Sequence, residues 1–148
     1  MGKGMDKLTP ELVELLNGEV LVSLVTIDKD SKEADLGVIS WVKASSDGTK
    51  VKFALGHKAR SAENIQAEPS VTLGLIGAGS CYAVKGKGTV SDIKDGTMKY
   101  RIVTVDVESV DDVIFYGGKI TTEPAYEKTY DADLAKKLDD EVYELLKD

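Results

Sequence analysis

Apolar and polar residues alternate with a period of two through most of this chain, and with a helical period in three short stretches. Val51, Phe53 and Leu55 alternate with Lys52, Ala54 and Gly56, which predicts a strand over 49–55. Apolar and β-branched runs predict five more, over 19–27, 34–44, 70–76, 80–90 and 100–110, with 113–116 as a short extension of the last. Asp47-Gly48 and Asp95-Gly96 are hairpin signals, and Gly77-Ala78-Gly79 makes another turn. Gly86 and Gly88 mark a bend or bulge within 80–90. The first helical stretch, 9–17, has Thr9 as N-cap, Pro10 at its first position and Gly18 past its end. Its face of Leu12, Val13, Leu15 and Leu16 suits a helix that covers an open end of the fold. The second, 61–67, starts at Ser61 as N-cap, buries Ala62 and Ile65 and is stopped by Pro69. The third is capped by Asp131 or Asp133, and Leu134, Leu138, Val142 and Leu145 recur along it. That face packs on the sheet or, in a second reading, on another subunit. Together these elements predict a mainly β (α+β) fold. It is a six-stranded, mostly antiparallel small barrel with a crossover helix between strands three and four and a helix at each end. One domain spans 1–148, with no internal repeat or linker.

Composition narrows the function. With 148 residues, 42% of them apolar, the chain can bury a sizeable core. No apolar run is long enough for a membrane span, and the first ten residues lack the apolar stretch of a secretory signal. A single cysteine, Cys81, excludes an internal disulfide and fits a reducing compartment, so the expected location is cytoplasmic. Cys81 lies in an apolar strand, as a structural thiol does. The formal net charge of −7 argues against nucleic acid or an anionic membrane as partner. The acid is unevenly spread: 106–148 is rich in Asp and Glu, whereas 57–60 and 85–87 are basic. A local basic site on an acidic protein suits a small phosphorylated ligand.

Most catalytic signatures are missing. One histidine cannot make a His-rich metal cluster, and neither a GxSxG elbow nor a Walker loop is present. The glycines of 74–80 (GLIGAGS) superficially match a dinucleotide loop, but a strand follows them where that loop needs a helix. Such a chain borrows its chemistry from a cofactor or performs none. The basic cluster His57, Lys58 and Arg60 sits just ahead of a helix N-terminus, where cations are unfavourable. A bound anion removes that conflict: backbone N–H groups, the Ser61 hydroxyl and two cations can hold a phosphate. The alternative reading is that Lys58 and Arg60 are solvated residues at a strand end.

The order of these features resembles the pyridoxamine 5′-phosphate oxidase-like FMN-binding split barrels over about residues 19–110. The resemblance is carried by Ile39-Ser40-Trp41-Val42 in strand two, the Asp-Gly turn and the Val51–Leu55 strand. Lys58, Arg60, Ser61, Asn64-Ile65 and Pro69 follow, and then Tyr82-Ala83-Val84-Lys85-Gly86. It implies FMN as cofactor at a homodimer interface. Lys58, Arg60 and Ser61 would hold the phosphate. Ser40, Trp41 and Ala54 would face the ring or its ribityl chain, and Asn64 would orient the helix start. Two features depart from the pattern. Ser61 stands where the family commonly has a basic residue, three positions before the Asn. Trp41 stands where proline is frequent, so its indole either stacks on a flavin or fills a half-buried place in the core. The acidic C-terminal helix lacks the substrate-binding arginine and histidine of true pyridoxamine phosphate oxidases, which argues against that specific activity. The resemblance therefore implies a flavin-dependent oxidoreductase of unnamed substrate. The alternative is a non-enzymatic flavin or haem binder or sensor in the same dimeric barrel, with His57 as the one imidazole a haem could use. A cofactor-free dimeric barrel is a third reading.

Overall fold

The computed structural model describes residues 4–147; residues 1–3 and 148, which the N-terminal and single-domain expectations include, lie outside them. Eight strand segments form one antiparallel sheet, where the sequence predicts six strands. In chain order they are β1 (Val22–Ile27), β2 (Ala34–Ile39), β3 (Val42–Ala44), β4 (Lys50–Gly56), β5 (Ser70–Gly77), β6 (Ser80–Val90), β7 (Lys94–Asp95) and β8 (Lys99–Asp112). The extra count has two sources. The predicted strand 34–44 is bent at Ser40 and Trp41 into β2 and β3, and the Asp95-Gly96 hairpin adds the two-residue β7.

The bend decides the architecture. Neighbours across the sheet run β2-β1-β5-β6-β8-β4-β3. The two ends of that path, β2 and β3, are consecutive in the chain, so the sheet curls round until its edges meet at Ser40-Trp41. There the Ala54 N–H donates to the Trp41 carbonyl at 3.1 Å. Beyond that point β2 pairs only with β1, and β4 pairs only with β3 and β8. A split therefore opens between β2 and β4.

Alternation places Phe53, Leu24, Leu73, Leu75 and Val103 inside the barrel, all essentially inaccessible to solvent. Two helices close its ends. Helix α1 (Pro10–Leu16) inserts Leu12 and Leu16 into this core, its N-cap Thr9 accepting from the Leu12 N–H at 3.2 Å. Helix α2 (Arg60–Ala67) inserts Ala62 and Ile65 at the other end. Its N-cap lies two residues earlier than predicted. The Ala59 N–H closes a turn onto the Gly56 carbonyl, so Ala59 becomes the N-cap and Ser61 falls inside the first turn.

A second, smaller core lies on the outer face. Helix α3 (Ala132–Leu146), capped by the Asp131 carboxylate, packs Leu138, Val142 and Leu146 on Ala54, Tyr100 and Ile102. Its buried stripe is Ala135, Leu138, Val142 and Leu146, shifted from the predicted face, and Leu134 is left 40% exposed. The predicted strand extension at 113–116 is instead a turn that leaves the sheet after the Val113 N–H bonds the Cys81 carbonyl.

The register shift between Lys85 and Gly86 is the bulge that the glycines foretell. A Cβ on Gly86 would lie 2.1 Å from the Asp106 carbonyl oxygen, whereas one on Gly37 would meet nothing within 4 Å. Gly86→Ala should therefore destabilise the fold by about 1–3 kcal/mol, by overpacking backbone against backbone. Gly37→Ala should stay within about 0.5 kcal/mol of wild type. Urea denaturation of both variants checks the contrast.

Candidate functional site

The split is bounded at its narrow end by the Ser40-Trp41 joint, on its sides by β2 and β4, and at its wide end by the start of α2. On the outer surface beside it lies an open cleft of about 260 Å³, walled by Val38, Ser40, Trp41, Ala54, Gly56 and Lys128. This is below the usual range of a complete small-ligand pocket, about 300–1,000 Å³. The Gly56 position is a shelf: a Cβ there would meet only the Met98 methyl at 3.8 Å. The outer surface of β4 is thus open at Gly56, whereas Ala54 is largely covered by α3 and meets the cleft only at its edge.

The sequence-predicted residues fall into two groups along the split. Ser40, Trp41 and Ala54 come together in the cleft. The Ser40 carbonyl accepts from the Tyr143 hydroxyl at 3.4 Å, and Ala54 forms the floor under α3. The indole of Trp41 is tightly held. Its N–H donates to the Asp139 carboxylate at 2.8 Å, Lys128 lies 5.6 Å from the ring centroid, and the Tyr100 ring meets it edge-on at 5.8 Å. Lys128 and Asp139 also form an ion pair. Burial works against the Lys128 charge, but the hydrogen bond and charge of Asp139 outweigh it and raise the ammonium above its ordinary pKa. Burial also pushes Tyr143 up to about 12, so its hydroxyl remains a donor across the neutral range. Lys128 and Asp139 lie far from Trp41 in sequence, in an acidic segment whose only signal is a scatter of tyrosines.

Lys58, Arg60 and Ser61 gather at the wide end. No side chain caps α2, and the N–H groups of Arg60 and Ser61 have no acceptor among the described residues. Lys58 is exposed and forms no ion pair among the described residues. Arg60 is engaged: its guanidinium forks onto Asp28 at 2.9–3.1 Å and reaches Asp30 at 3.0 Å, both in the β1–β2 turn. Hydrogen bonds from the Ser31 and Asp30 N–H groups, then from Arg60, hold the Asp28 carboxyl well below the carboxylate range. Asn64, fully buried, completes this tie. Its side chain accepts from the Lys29 N–H at 3.0 Å and donates to Thr26 and Asp35 at 3.1 Å each. The start of α2 is thus tied to the β1–β2 turn through both Arg60 and Asn64. His57 is partly exposed beside Lys58, and its backbone N–H donates to the Lys99 carbonyl. Among the described residues no cluster of His, Cys, Asp and Glu could hold a metal ion, and no helix is long and apolar enough to cross a membrane.

No protein-family model matches the chain, and neither does any curated protein. Solved structures do. A Lactobacillus delbrueckii protein named for pyridoxamine 5′-phosphate oxidase superposes with a TM-score of 0.61 and 21% identity, over 72% of this chain and 95% of that one. HupZ of Group A Streptococcus gives a TM-score of 0.61 and 14% identity, over 78% and 99%. A protein named F420 reductase gives 0.53 and 18%, over 66% and 94%. At these identities the likeness is one of fold. The chain has the split-barrel fold of the pyridoxamine 5′-phosphate oxidase-like proteins.

The Asp28 tie has a pH signature. Its pKa is lowered on folding, so its stabilisation is complete above the unfolded value of about 3.9 and is lost as pH falls below it. Thermal melts of wild type should drop as pH falls below about 4, and Asp28→Asn should flatten that drop while lowering the melting point at pH 7. An identical acid profile in the variant would show that the tie does not contribute.

Proposed function

We propose that the split binds FMN, with the ring at the Ser40–Trp41–Ala54 end and the phosphate at the start of α2. The observation that carries this reading is the succession of two unlike features along the chain. The cleft wall ends at Gly56 of β4, and a helix N-terminus without a side-chain cap, preceded by the exposed Lys58, begins at Arg60. A ligand with a planar apolar part and a terminal dianion, separated by a flexible polar chain, matches that order. The names of two structural neighbours, a pyridoxamine 5′-phosphate oxidase and an F420 reductase, are consistent with redox chemistry in this fold.

The residues have distinct tasks in this reading. Lys58, the Ser61 hydroxyl and the free N–H groups of Arg60 and Ser61 hold the phosphate. Arg60 lends positive charge there but is already shared with Asp28 and Asp30, so its larger task is to fix the position of the helix start. Trp41 walls the ring pocket, and Lys128 places a cation at its rim. Bound FMN would supply hydride or electron transfer, which makes the protein a flavin-dependent oxidoreductase. The cleft is open on one side and smaller than a complete pocket, so a second copy of the chain is needed to close it.

Affinity for FMN against riboflavin tests the reading. A charge-assisted contact to phosphate contributes roughly 1.5–3 kcal/mol, so Lys58→Ala should weaken FMN binding about ten- to a hundredfold and leave riboflavin unchanged. Arg60→Ala should weaken FMN by less, because its charge is already offset by two carboxylates. Equal affinity of wild type for FMN and riboflavin would remove the anion site.

A further inference from the structure

A second cleft lies beside β3, between the end of α1 and the last turns of α3. Its volume is about 360 Å³, and Asn17, Gly18, Glu19, Val42, Lys43 and Tyr143 line it. None of these residues lines the cleft in the split. The volume falls within the range of small-ligand pockets, about 300–1,000 Å³. Its apolar surface comes from Val42, which is fully buried, and from the half-buried Tyr143 ring. Its two charges stand at different borders. Glu19 also lines the neighbouring hollow that holds Glu11, Glu14 and Glu123. Lys43 also lines the hollow that holds Lys50 and Lys52. The cleft therefore runs from an acidic border to a basic one. Glu19 and Lys43 form no ion pair with each other or with another described residue. Helix α1 ends at the acidic border with no basic residue in its last turn, so its C-terminus adds partial negative charge there. The Asn17 side-chain oxygen accepts from the Ala44 N–H at 2.9 Å, which fixes the amide and leaves its Nδ2 donors without an acceptor among the described residues.

We propose that this cleft binds a small zwitterion of the length of a dipeptide, with its ammonium at Glu19, its carboxylate at Lys43 and its amide carbonyl on the Asn17 Nδ2. Charge separation decides the class of ligand. The cube root of the cleft volume is about 7 Å, which matches two extended residues at about 3.3–3.6 Å each. A free α-amino acid carries both charges on one carbon and cannot reach both borders. A ligand that is only cationic meets Lys43, and one that is only anionic meets Glu19, so each is repelled at one end. An uncharged ligand gains from neither border. A dipeptide engages both, and each of its ends forms a charge-assisted hydrogen bond. The amide between those ends has a carbonyl to accept from Asn17, whose free donors lie between the two charged residues in the lining. The apolar surface of Val42 and Tyr143 is limited, so small side chains fit best. The site shares no lining residue with the split and does not depend on what the split binds.

Amide-correlation NMR spectra of the full chain, titrated with alanylalanine to about 10 mM, test the proposal. The Asn17 side-chain amide and the backbone amides of Gly18, Glu19 and Lys43 should shift and saturate. N-acetylated alanylalanine lacks the ammonium, alanylalanine amide lacks the carboxylate, and free alanine lacks the span. Each should bind at least about tenfold more weakly. Glu19→Gln and Lys43→Met should each weaken alanylalanine about tenfold. Neither side chain belongs to the buried core, so the rest of the spectrum should stay in place in both variants. Absence of a saturable shift at these residues by about 10 mM overturns the proposal. Equal binding of the acetylated or amidated peptide overturns it as well. Equal binding of δ-aminovalerate, which has a similar span and no amide, overturns the dipeptide assignment.

Discussion

The structure depends on one bend in one strand. Because β2 and β3 are consecutive in the chain yet lie at opposite ends of the sheet path, the peptide at Ser40-Trp41 must join the two edges. Closure at that point satisfies backbone groups that would otherwise be an exposed edge. It also limits closure to that point, because the short β3 pairs with β4 only through Ala44 to Val42. The split is therefore a necessary product of the joint. The cleft beside the joint, the position of the Trp41 indole and the free edge of β2 all follow from it.

The remaining elements hold the joint and the split in place. α3 packs on the outer face and fixes Trp41 through Asp139, while Lys128 is drawn over the indole by the same carboxylate. At the wide end, Asn64 and the Arg60–Asp28 fork tie the β1–β2 turn to α2, so that β2 cannot drift from β4 at either end. These polar ties lie at the ends of the split. The cleft between them has a mixed lining, with Val38, Ile39, Trp41, Ala54 and Leu55 beside Ser40 and Lys128. On the proposed reading, such bracing would preorganise the split and lower the entropy cost of binding.

Much of this was legible in the sequence for identifiable reasons. Period-two alternation located the strands, because a barrel buries one face of each. Thr9-Pro10, Asp47-Gly48 and Gly86 announced a cap, a turn and a bulge through conformations few other residues adopt. Ser40, Trp41 and Ala54 were grouped through the family resemblance, and the hairpin between β3 and β4 brings them together in the cleft. The N-cap of α2 was misjudged by two residues, since the turn onto Gly56 depends on a hydrogen bond that residue preferences do not encode. Arg60's engagement with Asp28 and Asp30 was invisible, because it joins elements some thirty residues apart. Lys128 and Asp139 were hidden for the same reason: nothing in an acidic, tyrosine-bearing segment specifies that it folds back over a tryptophan. The 113–116 stretch shows the opposite failure. Its apolar residues read as strand, yet they lie mostly exposed at a turn, because apolarity alone does not distinguish a strand from a turn that leaves the sheet.

Trp41 is the only tryptophan in the chain and forms one wall of the cleft, so its emission reports on the central claim directly. Titrating the purified protein with FMN while exciting Trp41 should quench its fluorescence progressively, saturating at one FMN per chain, with excess riboflavin competing only weakly. Saturable FMN binding that leaves the Trp41 emission unchanged would place the flavin elsewhere and contradict the account.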